Sequence, residues 1–183
     1  MRLTRDQSAP SFSVEDIDGK EQSIHHYQGK KLLLSFYRYA GCPLCNLRVH
    51  QLGQEASQLA AQGLHMVGIF QSPAEHIREH IGQDKRPFPI IADPDHHLYA
   101  LYGVQGSWLG MARAMKRMGD MGRAIKLGIL PGKPEGDIHM IPADFLINEQ
   151  GKILCAYYGK DIGDHLPLSD ISQILSRDML IKT

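Results

Sequence analysis

The stretch Lys31-Leu32-Leu33-Leu34-Ser35-Phe36-Tyr37-Arg38-Tyr39-Ala40-Gly41-Cys42-Pro43-Leu44-Cys45 runs from an apolar segment straight into a pair of cysteines. Lys31–Tyr37, bounded by Gly29 and Gly41, has the pattern of a strand buried on both faces, as in a parallel sheet. Beyond it, Leu44, Leu47, Leu52, Ala56, Leu59 and Ala60 recur at helical spacing and Gly63 supplies a stop. A helix is therefore expected from Pro43 to Gln62, with the cysteines at its start. Leu64–Phe70 reads as a second core strand, and strand, helix, strand in that order implies parallel pairing through a right-handed crossover.

Working outward, Phe12–Val14 and Gln22–Ile24 flank Asp18-Gly19, a hairpin signal. Ser72 is a candidate cap for a helix beginning at Pro73. Phe88–Ala92 is a third strand ending at Asp93-Pro94-Asp95, and His97–Tyr102 a short helix stopped by Gly103. Phe145–Asn148 and Ile153–Tyr157, joined through Glu149-Gln150-Gly151, form a hairpin, and Leu168–Ile181 a closing helix opened by Ser169 or Asp170. The sum is a single thioredoxin-like α/β domain over residues 1–183, with a mixed central sheet flanked by helices.

One segment breaks the pattern. Trp108–Lys126 carries Met111, Met115, Met118 and Met121 among basic residues and is interrupted by Gly119 and Gly122; a Gly/Pro-rich loop, Gly128–Gly136, follows. It reads as an insertion at about 104–137 with one or two helical turns, longer than connections in compact domains usually are, and so a candidate lid or dimer contact. A membrane-surface role is the weaker reading, because the glycines and mixed spacing dilute any amphipathic face.

Twenty Lys plus Arg balance twenty Asp plus Glu, which gives no overall field to attract nucleic acid or anionic lipid. Neither is expected as a partner. The first fifteen residues hold Arg2, Arg5, Asp6 and Glu15 without an apolar run, so no signal peptide or anchor is expected and the cytoplasm is the default location. Three cysteines are too few, and odd in number, for a secreted disulfide framework.

The chemistry lies in Cys42-Pro43-Leu44-Cys45. A thiolate, not a thiol, attacks peroxides and disulfides, and a helix N-terminus stabilises the anion through unpaired N–H groups and the helix dipole. The Cys-X-X-Cys spacing puts the second thiol one turn away, Pro43 favours the first turn, and Arg38 is close enough in sequence to add positive charge. Such a pair forms an internal disulfide either by way of a sulfenic acid or by resolving a mixed disulfide.

The run Phe36–Leu47 resembles the peroxiredoxin-like branch of the alkyl hydroperoxide reductase and thiol-specific antioxidant (AhpC/TSA) family. Ala9-Pro10-Ser11-Phe12 with Asp18-Gly19-Lys20, Phe88-Pro89 with Asp93-Pro94, Tyr102-Gly103-Val104, Ile141–Asn148 and Gly163-Asp164-His165 are similar to further family segments, in order, along nearly the whole chain except the insertion. The resemblance implies a thiol-dependent antioxidant oxidoreductase that reduces peroxides and needs no bound cofactor or metal. It also implies a thioredoxin-, glutaredoxin- or glutathione-type electron donor and admits a homodimer. The alternatives are a thioredoxin-like protein disulfide oxidoreductase and a non-catalytic redox-sensing or binding module. Cys42, Cys45 and Arg38 are the candidate catalytic residues, and Tyr39, Pro43, Ile141 and Pro142 the candidate substrate-binding ones.

The sequence departs from the family's Pro-X-X-X-Thr-X-X-Cys pattern. Aligned without gaps, Arg38 falls at the Pro, Cys42 at the Thr and Cys45 at the attacking cysteine. A thioredoxin-style reading instead makes Cys42 the exposed attacking thiol. Pro142 stands where typical members place an Arg, and suits the cis-proline of thioredoxin-like proteins, which leaves backbone groups free to hold an incoming chain.

Blander readings apply elsewhere. Cys42 and Cys45 have zinc-ligand spacing, but no second pair accompanies them. His76 and His80, four apart on one helix face, read as solvated, and His25-His26 and His96-His97 as surface residues. Alternation places Ile153, Cys155 and Tyr157 on one face, with Cys155 a buried structural thiol.

Overall fold

The computed structural model describes residues 1–81 and 86–181. Strands are β1 (Ser13–Glu15), β2 (Glu21–Ser23), β3 (Lys31–Phe36), β4 (Leu64–Phe70), β5 (Ile90–Ala92), β6 (Ala143–Ile147) and β7 (Ile153–Tyr158). Helices are α1 (Pro43–Ala61), α2 (Ala74–His80), α3 (His97–Leu101), α4 (Trp108–Ala112), α5 (Met118–Lys126) and α6 (Leu168–Ile181), with 3-10 turns at Ile24–Tyr27 and Arg113–Arg117. The small hairpin β1-β2 stands apart from a five-stranded sheet ordered β5-β4-β3-β6-β7. β3, β4 and β5 are parallel, while β6 and β7 run antiparallel to their neighbours, giving the mixed sheet of the thioredoxin-like class.

The buried strand β3 explains the architecture. Every one of its residues is buried, and because side chains alternate across a strand, it feeds two cores. Leu32, Leu34 and Phe36 face a layer holding Phe12, Leu98, Tyr99, Tyr102 and Phe145. Leu33 and, just past the strand end, Tyr37 face the layer built by α1, α2 and α6, in which Leu52, Leu59, Ile77, Ile171 and Leu175 are buried. Each fully buried Leu or Ile in these layers contributes roughly 1.5–3 kcal/mol relative to exposure.

Local details refine the sequence-based expectations. Ser72 does not cap α2: the helix begins at Ala74 with Pro73 as its N-cap residue, and the Ser72 hydroxyl instead accepts a hydrogen bond from the Ala40 N–H at 2.8 Å. Asp93 takes the capping role at α3, its carboxylate accepting from the N–H groups of His97 and Leu98 at 3.0 and 2.8 Å. α6 occupies the expected Leu168–Ile181, but Pro167 opens it in place of Ser169 or Asp170, its carbonyl accepting from the N–H groups of Asp170 and Ile171. A register shift between Leu146 and Ile147 sets Ile147 opposite Ile153 but Leu146 opposite Cys155, leaving Leu154 as the extra residue of a bulge. Ile153 therefore joins one core layer while Cys155 and Tyr157 pack against the other, contrary to simple alternation, and Cys155 is only partly buried.

The insertion is more helical than its composition suggests. From Trp108 to Lys126 the chain passes through α4, a 3-10 turn and α5 without leaving helical structure. Gly119 and Gly122 face open space, whereas Gly110 is buried and Met111, Ala114, Met121 and Ala124 turn inward. Inward positions thus recur every three or four residues, the helical period, and the solvent-facing glycines cost the helix stability without interrupting it.

Candidate active site

β3 delivers its chain to the start of α1 through a five-residue loop, Tyr37–Gly41, held on several sides. Tyr37 donates its N–H to the Ile69 carbonyl at 2.8 Å, and the Tyr99 hydroxyl donates to the Tyr37 carbonyl at 2.7 Å. Cys42 is the N-cap residue of α1, with Pro43 in the first turn. The Asn46 side chain fastens the loop from the helix side by donating to the Ala40 carbonyl at 2.8 Å. The cysteines therefore sit where the sequence places them, at the positive end of a long helix.

Both thiols are enclosed. Cys42 is 1% exposed and Cys45 is 0% exposed, and both are free thiols. Cys42 is thus not the exposed thiol of the thioredoxin-style expectation, because the insertion closes over it. Arg38, 3% exposed, points Nη1 at the Cys42 sulfur at 3.4 Å and donates from Nη2 to the Ile138 carbonyl at 2.5 Å. The Arg38 N–H approaches the Cys45 sulfur at 3.4 Å. Its guanidinium lies 5.1 Å from the centre of the Tyr39 ring, so Arg38 and Tyr39 form one wall and Pro43 and Ile141 are buried beside the sulfurs.

These contacts split the two thiols electrostatically. A hydrogen bond from Cys45 is the largest influence lowering the Cys42 pKa; burial opposes it, and the Arg38 charge and the N–H groups of Cys45 and Leu44 add to the lowering. Cys45 moves the other way, pushed well up by burial first and then by sharing its proton with Cys42. The two thiols titrate as a pair, with the anion favoured at Cys42 and the proton at Cys45.

The expectation for Pro142 fails on two counts. No cis peptide bond occurs among the described residues, and the backbone beside it is already used. The Pro142 carbonyl accepts from the Gly159 N–H at 2.9 Å, Ile141 donates to Gln105, and Gly106 bridges Met140. The chain fills with its own residues the edge that would have received an incoming strand.

The lid is tied down at several points that the sequence did not reveal. Gly132 donates to the Gly41 carbonyl at 2.8 Å, and a Cβ on Gly41 would stand 2.7 Å from Gly132 Cα, so these two backbones touch because both residues are glycine. Arg117 reaches from the 3-10 turn to Asp161 and Asp164 at 2.9 and 3.2 Å. Gln71 donates to the carbonyls of Glu135 and Asp137, and His76, expected to be solvated, pairs with Glu135. Replacing Gly41 with Ala should push this loop away. The expected result is faster alkylation of Cys42 by iodoacetamide, roughly tenfold, with an unchanged far-ultraviolet spectrum; an unaltered rate would show that the loop does not control access.

Behind Cys45 lies a second polar cluster. Asp144, fully buried, accepts from Ser35 Oγ at 2.6 Å, from the Leu166 N–H at 2.7 Å, and pairs with His165 Nδ1 at 3.0 Å. Arg48, one turn along α1 from Cys45, donates to the Leu166 carbonyl at 2.6 Å. The Tyr37 ring lies 5.1 Å from that of His165. Among the described residues no group of three or more His, Cys, Asp or Glu side chains could hold a metal ion, and no helix is long and apolar enough to cross a membrane.

Comparison with known proteins gives a consistent result. The model of the AhpC/TSA family matches residues 6–155. Peroxiredoxin Bcp of Escherichia coli is 28% identical over 145 residues, 79% of each chain. Among solved structures, the peroxidoxin BcpB of Mycobacterium tuberculosis superposes with a TM-score of 0.67 at 16% identity, covering 96% of both chains. The reduced 2-Cys peroxiredoxin of Plasmodium vivax gives 0.67 at 13% identity, over 95% of this chain and 81% of that one.

Proposed function

The chain belongs to the AhpC/TSA family, and from that premise we propose that it is a thiol peroxidase in which Cys42 is the attacking thiolate and Cys45 the resolving thiol. The observation that carries this assignment is the asymmetry of the pair: Cys42 faces the Arg38 guanidinium and accepts a hydrogen bond from the Cys45 thiol, which stays protonated. The name of the E. coli relative, peroxiredoxin Bcp, points to the same reaction.

The chemistry follows from the geometry. The Cys42 thiolate attacks the outer oxygen of a peroxide, the O–O bond breaks, and the leaving alkoxide or hydroxide takes a proton as the alcohol or water. Cys42 is left as a sulfenic acid, stabilised by Arg38. Cys45 then attacks the Cys42 sulfur, an S–S bond forms, and the sulfenic oxygen departs as water carrying the Cys45 proton. An external thiol donor supplies the two electrons that reduce the disulfide. Arg38 contributes charge stabilisation in a site from which water is excluded, where such interactions are strongest.

A small oxidant suits the enclosure better than a protein disulfide, because the Ile141–Pro142 backbone is occupied and Cys42 lies under the lid. Tyr39 and Ile141 line the approach to Cys42, while Pro43 fixes the first turn of α1.

The test is hydrogen peroxide consumption with dithiothreitol as electron donor, measured across pH. Wild-type turnover should hold at neutral pH and fall on acidification, as the Cys42 thiolate is protonated at a pKa below that of an ordinary thiol. Arg38→Met should move that fall to higher pH and slow the reaction at neutral pH by roughly tenfold or more. Absence of peroxide turnover in wild type, together with reduction of a protein disulfide, would replace the proposal with disulfide exchange.

A further inference from the structure

Among the described residues, eight of the ten large hydrophobic side chains exposed to solvent lie between Trp108 and Ile138. Trp108 is 78% exposed, Met115 79% and Met118 72%, and Leu109, Ile125 and Leu130 are also exposed. The Trp108 ring touches that of His139 yet stays largely exposed, and the lid packs on the domain through other positions, Gly110, Met111, Ala114, Met121 and Ala124, with ion pairs running through Arg117. A protein of this size rarely leaves so many large apolar groups together on one segment without a use for them.

The charge on the same segment narrows what covers it. Trp108–Lys126 holds Arg113, Lys116, Arg117, Arg123 and Lys126 against a single carboxylate, Asp120, in a chain whose overall charge is zero. Arg117 is compensated by Asp161 and Asp164, and Asp120 is shared between Arg117 and Arg123, so the excess on this segment is carried by Arg113, Lys116, Arg123 and Lys126. A second copy of the chain docked face to face would bring the two cationic surfaces together, which disfavours self-association. Apolar side chains interleaved with Lys and Arg on a helical segment fit instead a surface that is apolar within and anionic at its rim. Gly119 and Gly122, the features that counted against such a surface in the sequence, leave the run helical.

We propose that the outer face of the lid, Trp108 to Lys126 with Leu127 and Leu130, is a docking surface for an anionic lipid bilayer. Trp108, Met115, Met118 and Ile125 enter the headgroup region while Lys116, Arg123 and Lys126 meet lipid phosphates. The lid is fastened to the domain at Gly41, Gln71, Asp161 and Asp164, so it carries the cysteine site to the bilayer with it. The inference rests on the lid and is independent of the peroxidase proposal.

Trp108 is the only tryptophan in the chain, so its fluorescence reports on this face alone. Vesicles of phosphatidylcholine mixed with phosphatidylglycerol should shift its emission to the blue, and vesicles of phosphatidylcholine alone should not. High salt should reverse the shift. Lys116→Gln with Lys126→Gln should weaken binding roughly thirtyfold, at about one order of magnitude or less per charge. Met115→Ser with Met118→Ser should weaken it by at least about tenfold. Both pairs of variants should retain wild-type thermal stability and circular dichroism, separating lost binding from lost folding. No shift with the anionic vesicles, an equal shift with both kinds, or a shift on raising protein concentration without lipid would each overturn the proposal.

Discussion

Cys42→Ser should lower peroxide consumption by roughly a thousandfold or more, because a serine hydroxyl is neither ionised nor nucleophilic in the place of a stabilised thiolate. Cys45→Ser should behave differently. Its Cys42 still faces Arg38 and the start of α1, but it loses the Cys45 thiol whose hydrogen bond is the largest influence favouring the anion. The serine hydroxyl can replace that donor in part. The first encounter with peroxide should therefore yield a sulfenic acid at Cys42 that no internal thiol removes. Dimedone should trap it, adding one mass increment in Cys45→Ser and none in Cys42→Ser. The reverse pattern, with an adduct on Cys45 in Cys42→Ser and none in Cys45→Ser, would transfer the attacking role to Cys45. The ungapped family alignment makes that assignment, whereas the proton-sharing geometry opposes it.

The two alignments disagree because sequence spacing alone does not say where charge sits. Arg38 precedes Cys42 by four residues, and that proximity was visible. Its aim was not: the guanidinium is fixed by the Ile138 carbonyl, a hundred residues away in the chain, and this holds Nη1 on Cys42. The same limit explains the missed closure of the site. The insertion was recognisable as a lid by its length and composition, but its fastening depends on two glycines, Gly41 and Gly132, whose backbones meet only in the folded chain. The periodic elements were legible almost to the residue. β4 and α6 occupy the expected spans and α1 ends one residue early, because continuous apolar runs and strong stop signals are local. The Leu154 bulge was not legible, since it requires knowledge of which residue on β6 lies opposite.

The family resemblance carried two blocks whose connection it did not state, Pro142-Ala143-Asp144-Phe145 and Gly163-Asp164-His165. In the fold they meet, and the contact between Asp144 and His165 closes the buried cluster behind Cys45. Burial alone would raise the Asp144 carboxyl pKa, yet His165, Arg48 and Ser35 override it and bring the group down to about 2. A carboxyl ionising near 3.8 in the unfolded chain and near 2 in the native one stabilises the fold at all pH values above the unfolded figure. That contribution, about 2 kcal/mol, is lost as pH falls from roughly 4 to 2. Urea unfolding of the wild type should show stability declining over that window.

Removing the charge should cost more than the titration, because the partners stay behind. In Asp144→Ala the Leu166 N–H, Ser35 Oγ and His165 Nδ1 lose their common acceptor in a site closed to water, and Arg48 loses its counter-charge. Breaking such a buried pair costs about 3–5 kcal/mol, which for a chain of this length lowers Tm by about 10 °C. Asp144→Asn keeps an acceptor for Ser35 or Leu166 but not the charge, and should fall between wild type and Asp144→Ala. The His165→Ala, Asp144→Ala double variant should be less destabilised than the sum of the two single changes, since each single change already breaks the same pair. Additive losses, or a loss below about 1 kcal/mol for Asp144→Ala, would mean that the Asp144–His165 contact is incidental and that β6 and the segment before α6 are joined by apolar packing alone.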